Sequence, residues 1–117
     1  MPPTEHITVT KNDGVNVVEF NDRKILDELS ITELGSQLRE VAESESAVKI
    51  LLNFQNVEHM SSAALGMLIT LHKLVQDKQG RLKLSNIQPQ IFEVFKITRL
   101  NKLFEIHDSA AQALGSF

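Results

Sequence analysis

A short, almost continuous apolar run from Val48 to Phe54 constrains the fold of this chain more than any other segment. The run is too short for a typical helix and is rich in residues that favour β-structure. Strands that are apolar on both faces are typical of parallel sheets, in which helices cover each side. The run therefore predicts a central strand of an α/β sheet.

The N-terminal segment predicts an antiparallel hairpin. Apolar and polar residues alternate over 7–9 and again over 15–20, on either side of Asn12-Asp13-Gly14. An Asp-Gly pair between two alternating segments is a strong signal for a tight hairpin turn. The charged residues 21–24 that follow are predicted to form a loop.

A first helix is predicted to begin at Ser30. Ser30 and Glu33 have the spacing of a capping box, in which each side chain bonds the other residue's free backbone N–H. One apolar face then recurs at helical spacing, in Ile31, Leu34, Leu38, Val41 and Ala42. Residues 44–46 are expected to end this helix.

The rest of the chain continues to alternate strands and helices. The predicted elements are a helix from Met60 to Val75 stopped by Gly80, a strand from Arg81 to Ser85, a helix opened by Pro89, a short strand within 103–106, and a last helix capped by Asp108 or Ser109. Strand–helix–strand units demand right-handed crossovers and parallel pairing. The sequence thus predicts a single α/β domain over residues 1–117, with a mixed, mostly parallel β-sheet, an N-terminal antiparallel hairpin and about four helices.

Composition excludes several classes of function. The chain has 117 residues, a net charge of −3, no cysteine, no tryptophan and no tyrosine. Without cysteine there is no disulfide framework or thiolate site, which favours a cytoplasmic location. Neither a signal peptide nor an apolar run of about 18 residues is present, so no membrane association is expected. Scattered basic residues and the lack of stacking aromatics argue against nucleic-acid binding.

Two adjacent hydroxyls, Ser61 and Ser62, form the most informative pair for function. They follow the buried strand, and they are placed where the next helix begins. Serine is a preferred N-cap, so capping alone explains them. The alternative is regulatory phosphorylation, because a phosphate adds about −1.5 to −2 charge at a helix end that tolerates anions. Acyl transfer by Ser62 has less support, since no G-x-S-x-G elbow surrounds it.

Residues 48–68 resemble the signature of STAS domains, specifically of bacterial anti-sigma factor antagonists. In that family an apolar strand is followed, after a loop, by Asp-Ser-Ser/Thr-Gly-Leu-Gly at the head of a helix. The resemblance places the family's phosphorylated serine at Ser62, with Ser61 as the alternative acceptor, and matches Leu65 and Gly66 directly. Ser61 stands where the family has an aspartate, and Ala64 stands where it has a glycine.

The resemblance implies a partner switch and no enzymatic activity. The unmodified protein would bind an anti-sigma factor that is also a serine kinase, and phosphorylation by that kinase would cancel the binding. The kinase would supply ATP, so no cofactor is expected here. The implied partner-binding residues are Asn56, His59, Met60, Ser61, Ser62, Leu65 and Gly66. The alternatives are a STAS scaffold or small-ligand adaptor that is not phosphorylated and, more remotely, an acyl-transfer enzyme.

The histidines, glycines and clustered acidic residues do not indicate a further functional site. His6, His59, His72 and His107 do not have the spacing of a metal site, and surface or capping roles are expected for them. The five glycines are not spaced to hold a nucleotide phosphate. Asp22, Asp27 and Glu28 are interpreted as a solvated loop before a capped helix. The oligomeric state stays open.

Overall fold

The computed structural model describes residues 6–117, which form seven strands and five helices. The strands are β1 (Ile7–Asn12), β2 (Val15–Phe20), β3 (Lys24–Ile25), β4 (Lys49–Asn53), β5 (His59–Met60), β6 (Arg81–Ser85) and β7 (Glu105–His107). The helices are α1 (Glu28–Glu43), α2 (Ser62–Asp77), α3 (Pro89–Ile97), α4 (Leu100–Leu103) and α5 (Ala110–Gly115). The alternation of strands and helices confirms the predicted α/β class.

Five strands form the main sheet in the order β1-β2-β4-β6-β7. β1 and β2 are antiparallel, and the other neighbouring pairs are parallel. Asp13 and Gly14 both have positive φ at the hairpin turn, as a tight primed turn requires. β4 lies in the middle of the sheet, so the predictions of a hairpin and of a central strand are both confirmed.

Alternate residues of β4 face two different apolar layers. Ile50 and Leu52 are fully buried in the large core beneath α1, α2, α3 and α4. Leu51 points the other way and packs with Val15 of β2 and Ala113 of α5. Helices therefore cover both faces of the central strand, which explains why its apolar run is nearly continuous.

A buried lysine fastens α5 to the second face of the sheet. The Nζ atom of Lys83 donates to the carbonyl oxygen of Ser116 at 2.7 Å and lies 2.7 Å from Oε2 of Glu105. The same Nζ atom stands 4.7 Å from the centre of the Phe117 ring. The hydrogen bond from Lys83, with a smaller one from His107, holds the pKa of Glu105 below its usual value.

Two predicted helix ends differ in detail from the structure. α1 begins at Glu28, one turn before the predicted capping box, because the Asp27 side chain accepts a hydrogen bond from the Ser30 N–H at 2.9 Å. α2 ends at Asp77, shortly before Gly80, whose N–H donates to the carbonyl oxygen of Val75 at 2.8 Å, but the residue with positive φ at this helix end is Gln79. A Cβ at Gly80 would lie 2.3 Å from the carbonyl oxygen of Val48, so this glycine allows a close backbone approach.

The later boundaries agree better with the sequence. Pro89 opens α3 as predicted, and Ser109 caps α5 by accepting from the N–H of Gln112 at 3.2 Å. The last strand begins at Glu105, two residues beyond the start of the predicted segment. Two elements were missed: the one-turn helix α4 and a separate two-stranded sheet formed by β3 and β5.

Candidate functional site

The segment from Gln55 to Ser62, termed here the serine loop, joins β4 to α2 at the carboxyl edge of the sheet. Its first turn is closed locally, because the side-chain oxygen of Asn53 accepts from the N–H of Gln55 at 2.9 Å. The N–H of Phe54 donates to the carbonyl oxygen of Ser85 at 3.0 Å. The start of the loop is therefore fixed to two neighbouring parallel strands.

The second half of the serine loop is held by β3. The backbone N–H groups of Glu58 and His59 both donate to the carbonyl oxygen of Arg23, at 2.8 and 3.1 Å. The N–H of Ser61 donates to the carbonyl oxygen of Ile25 at 3.0 Å. This pairing ties the segment between β2 and α1 to the segment before α2, and so joins two helix N-termini.

Side-chain amides brace the loop from two further directions. Nδ2 of Asn56 donates to the carbonyl oxygen of Phe20 at 3.3 Å, and Nε2 of Gln88 donates to that of Gln55 at 3.0 Å. Asn56 was predicted as a partner-binding residue, and the structure gives its amide a role in positioning the loop.

The two serines at the start of α2 have different environments. Ser61 is the N-cap: its Oγ atom accepts from the N–H of Ala64 at 3.2 Å, and its residue is half-buried. Ser62 is the first helical residue and is exposed. Within residues 6–117, no histidine or carboxylate is hydrogen-bonded to the Ser62 hydroxyl. Two adjacent hydroxyls at this site therefore differ: that of Ser61 is hydrogen-bonded, and that of Ser62 is accessible.

The remaining predicted site residues divide into surface and core. His59 and Gly66 are exposed and Met60 is half-buried, so these three accompany Ser62 on the surface. Leu65 is only 5% exposed and belongs to the core. Its side chain packs in the core and so stabilises the start of α2.

An exposed leucine beside the loop was missed by the sequence analysis. Leu26 directly follows Ile25, the residue whose carbonyl oxygen holds Ser61, and it is 51% exposed. Leu29, in the first turn of α1, is 69% exposed. The one sequence feature that could have indicated this surface is the apolar pair Ile25-Leu26 within a charged stretch. Two residues show no periodicity, so the pair did not stand out.

The expected surface position is found for His59, which is exposed, but not for His6, which is buried, or for His72, which is half-buried. His6 is buried at 4% exposure between Asp22 and Glu33; Asp22 lies in a loop as predicted, but its carboxylate, 35% exposed, is paired with the His6 ring. His72 packs edge-on against Phe104, and burial lowers its pKa. The described residues contain no group of three or more side chains able to hold a metal ion.

Two further features bear on partners. No helix among the described residues is long and apolar enough to cross a membrane. A groove of about 420 Å³ lies between α1 and α2, and it is lined on its apolar side by Ile31, Leu38, Met67, Leu71 and Leu74. Its volume lies within the range of small-molecule sites.

The chain belongs to the STAS domain family, whose model matches residues 6–113. It is 29% identical to the anti-sigma-B factor antagonist of Bacillus subtilis and 25% identical to the anti-sigma F factor antagonist of Paenibacillus polymyxa. Each alignment covers 86% of this chain, with 91% and 85% of the two relatives.

Solved structures share the fold. An anti-sigma-factor antagonist (STAS) domain protein from Planctomyces limnophilus superposes with a TM-score of 0.84 at 21% identity, covering 94% of this chain and 95% of that one. The Bacillus cell fate determinant SpoIIAA in its phosphorylated form superposes with a TM-score of 0.69 at 16% identity, covering 94% and 97%. The predicted fold family is therefore confirmed.

Proposed function

We propose that this protein is an anti-sigma factor antagonist that works by partner switching and is not an enzyme. Its unmodified form binds an anti-sigma factor that is also a serine kinase, and phosphorylation of Ser62 by that kinase ends the binding. Residues 1–117 would act as one domain in the cytoplasm, a location that the absence of cysteine favours.

The exposure of Ser62 at the first position of α2 is the observation that carries this proposal. A kinase must reach the acceptor hydroxyl, and of the two candidates only Ser62 is exposed and has a hydroxyl with no hydrogen bond to the described residues. Ser61 would have to give up its cap to Ala64 before it could be modified. This difference supports Ser62 as the acceptor and Ser61 as the weaker alternative.

The fold can accept a phosphate at this position. Backbone N–H groups in the first turn of a helix lack partners within the helix, and the helix dipole favours negative charge there. The modified protein would thus remain folded while the charge of the serine loop changes by about −1.5 to −2. A partner surface built for the neutral hydroxyl would then be repelled or left poorly matched.

Both departures from the family signature are compatible with the proposal. Serine and aspartate are equally good N-caps, and Ser61 already makes the bond to Ala64 that an aspartate would make. Ala64 is buried in α2 and is absent from the residues with positive φ, so no glycine is needed there. The substitutions therefore preserve the geometry around Ser62.

The proposal is tested by incubating the protein with a purified anti-sigma factor that is a serine kinase, from the same organism, and with ATP. Mass spectrometry should place one phosphate on Ser62, Ser62→Ala should take up none, and Ser61→Asp should still be modified. Phosphate on Ser61 in the unmutated protein would reject the acceptor assignment. Binding to the kinase without any phosphate transfer would reject the switch.

The groove between α1 and α2 favours a second candidate, a small-ligand adaptor. Its apolar wall and its volume of about 420 Å³ suit a small molecule with an apolar portion. Gly35 lines this groove, and a Cβ at Gly35 would lie 3.4 Å from Cγ of Met67, so a larger residue there would reduce the space. A Gly35→Val variant that loses a ligand found by native mass spectrometry, while it keeps kinase binding, would support the adaptor.

A further inference from the structure

A buried histidine links the start of β1 to two other parts of the fold. Nδ1 of His6 lies 2.5 Å from Oδ2 of Asp22, in the connection between β2 and β3. Nε2 of the same ring lies 2.9 Å from Oε2 of Glu33, on α1. The backbone N–H of His6 donates to Oε1 of Gln37, one turn further along α1, at 2.9 Å.

The geometry defines the protonation state of this ring. Ionised carboxylates only accept hydrogen bonds, so both nitrogens of His6 must donate, and the ring must be an imidazolium. A neutral ring carries one proton and can donate to only one of the two carboxylates. Deprotonation therefore breaks the link between the β2–β3 connection and α1, whichever nitrogen keeps its proton.

The surroundings of His6 favour the charged form. Burial alone lowers the pKa of His6, but the hydrogen bonds that its ring donates to Asp22 and Glu33, together with their negative charges, outweigh this effect and raise the pKa above 6.5. Asp27, at the N-terminus of α1, also interacts electrostatically with the His6 ring. The charged groups that interact with the ring from the β2–β3 connection and from α1, which are Asp22, Asp27 and Glu33, are thus acidic.

The Asp22 carboxylate that bonds His6 lies one residue before the backbone that holds the serine loop. Asp22 immediately precedes Arg23, whose carbonyl oxygen accepts the N–H groups of both Glu58 and His59. Two residues later, Ile25 accepts the N–H of Ser61. Holding Asp22 in place therefore holds the strand that fixes the second half of the serine loop.

We propose that the His6 imidazolium is a positioning group that keeps the serine loop ordered by fastening the β2–β3 connection to α1. The order of the loop then depends on pH. A group whose pKa is raised by folding stabilises the folded state fully at pH values below its pKa in the unfolded chain, which is 6.5 for histidine. This stabilisation is lost as the pH rises through the pKa of the group in the folded protein. This inference concerns the isolated protein and does not depend on phosphorylation or on a partner.

Amide hydrogen exchange measured by NMR tests the proposal. Protection factors for the N–H groups of Glu58 and Ser61 are measured from pH 6 to pH 9, with each rate normalised to its intrinsic value. The His6 ring is titrated in the same samples. We expect protection of both amides to fall about tenfold as the ring deprotonates, the change associated with losing one charge-assisted hydrogen bond. The Leu52 amide in β4 should keep its protection.

Two substitutions separate positioning from general destabilisation. His6→Gln should give low protection of the Ser61 amide at every pH, whereas His107→Gln, which removes a histidine on β7, should retain the pH-dependent behaviour of the unmutated chain. Glu33→Gln keeps His6 but removes one carboxylate, and it should move the loss of protection to lower pH. If His6→Gln does not fold, Glu33→Gln serves as the test in its place. Protection of Ser61 that is independent of pH while His6 titrates would overturn the proposal.

Discussion

The Oγ atom of Ser61 accepts the N–H of Ala64, whereas the hydroxyl of the adjacent Ser62 stands exposed at the first position of the same helix. One serine therefore completes the fold, and the other is available to a partner. Substitutions at the two positions should consequently affect different properties, stability at Ser61 and binding at Ser62.

Ser61→Ala should lower the free energy of unfolding by about 1 kcal/mol, because it removes the N-cap of α2. Ser61→Asp should retain the stability of the unmutated protein, since aspartate can accept from the same N–H and also interacts favourably with the helix dipole. Urea denaturation followed by circular dichroism measures both values. Equal stability of the two variants would mean that the cap contributes nothing.

Ser62→Asp should abolish binding to the anti-sigma factor, whereas Ser62→Ala should keep it. A carboxylate is tolerated in the first turn of α2, but a buried and mismatched charge at an interface costs about 2–5 kcal/mol, or a thirtyfold to several-thousandfold loss of affinity. Titration calorimetry against the purified partner gives both affinities. Equal affinities would place the serine loop outside the interface.

Leu26→Ser should weaken partner binding without changing stability. Leu26 is 51% exposed and directly follows the residue that holds Ser61, so a partner that covers the serine loop should also cover this side chain. Ile97→Ser is the matched control, because Ile97 is 79% exposed near the end of α3. We expect a loss of at least tenfold in affinity for Leu26→Ser only. A comparable loss for Ile97→Ser would point to a nonspecific effect of surface hydrophobicity.

Gly80→Ala should destabilise the fold by about 1–3 kcal/mol, the usual cost of overpacking. The new Cβ would meet the carbonyl oxygen of Val48 at 2.3 Å, and this backbone atom, directly before the central strand β4, cannot move aside cheaply. Gly115→Ala has nothing within 4 Å of its new Cβ and should leave the melting temperature nearly unchanged. Thermal unfolding of the two variants decides between a packing role and a purely local role for Gly80.

His72 should make the protein less stable as the pH falls below 6.5. Burial lowers the pKa of this ring, and its Nδ1 atom is buried without a hydrogen-bond partner among the described residues. The unfolded chain therefore binds the proton more readily, so the free energy of unfolding decreases with acidification. His72→Leu should reduce this decrease between pH 6.5 and 5. Denaturation midpoints measured at several pH values test the difference.

The sequence by itself determined the frame of the sheet. Residues 48–54 are apolar on both faces, and this alone requires layers on both sides, which α5 and the larger group of helices supply. Asp13-Gly14 defined the hairpin because few other residue pairs accept positive φ at both positions. The position of Ser61 and Ser62 at the start of α2 followed equally from local chemistry.

Only the tertiary structure decided what surrounds the serine loop. β3 and β5 are two residues long, so neither shows the alternation that marks a strand, and their pairing joins segments that are distant in the sequence. His6 and Glu33 are 27 residues apart, and no local pattern brings a histidine between two carboxylates. Local rules determine which element a residue joins, whereas the burial of a charge depends on which distant groups fold around it.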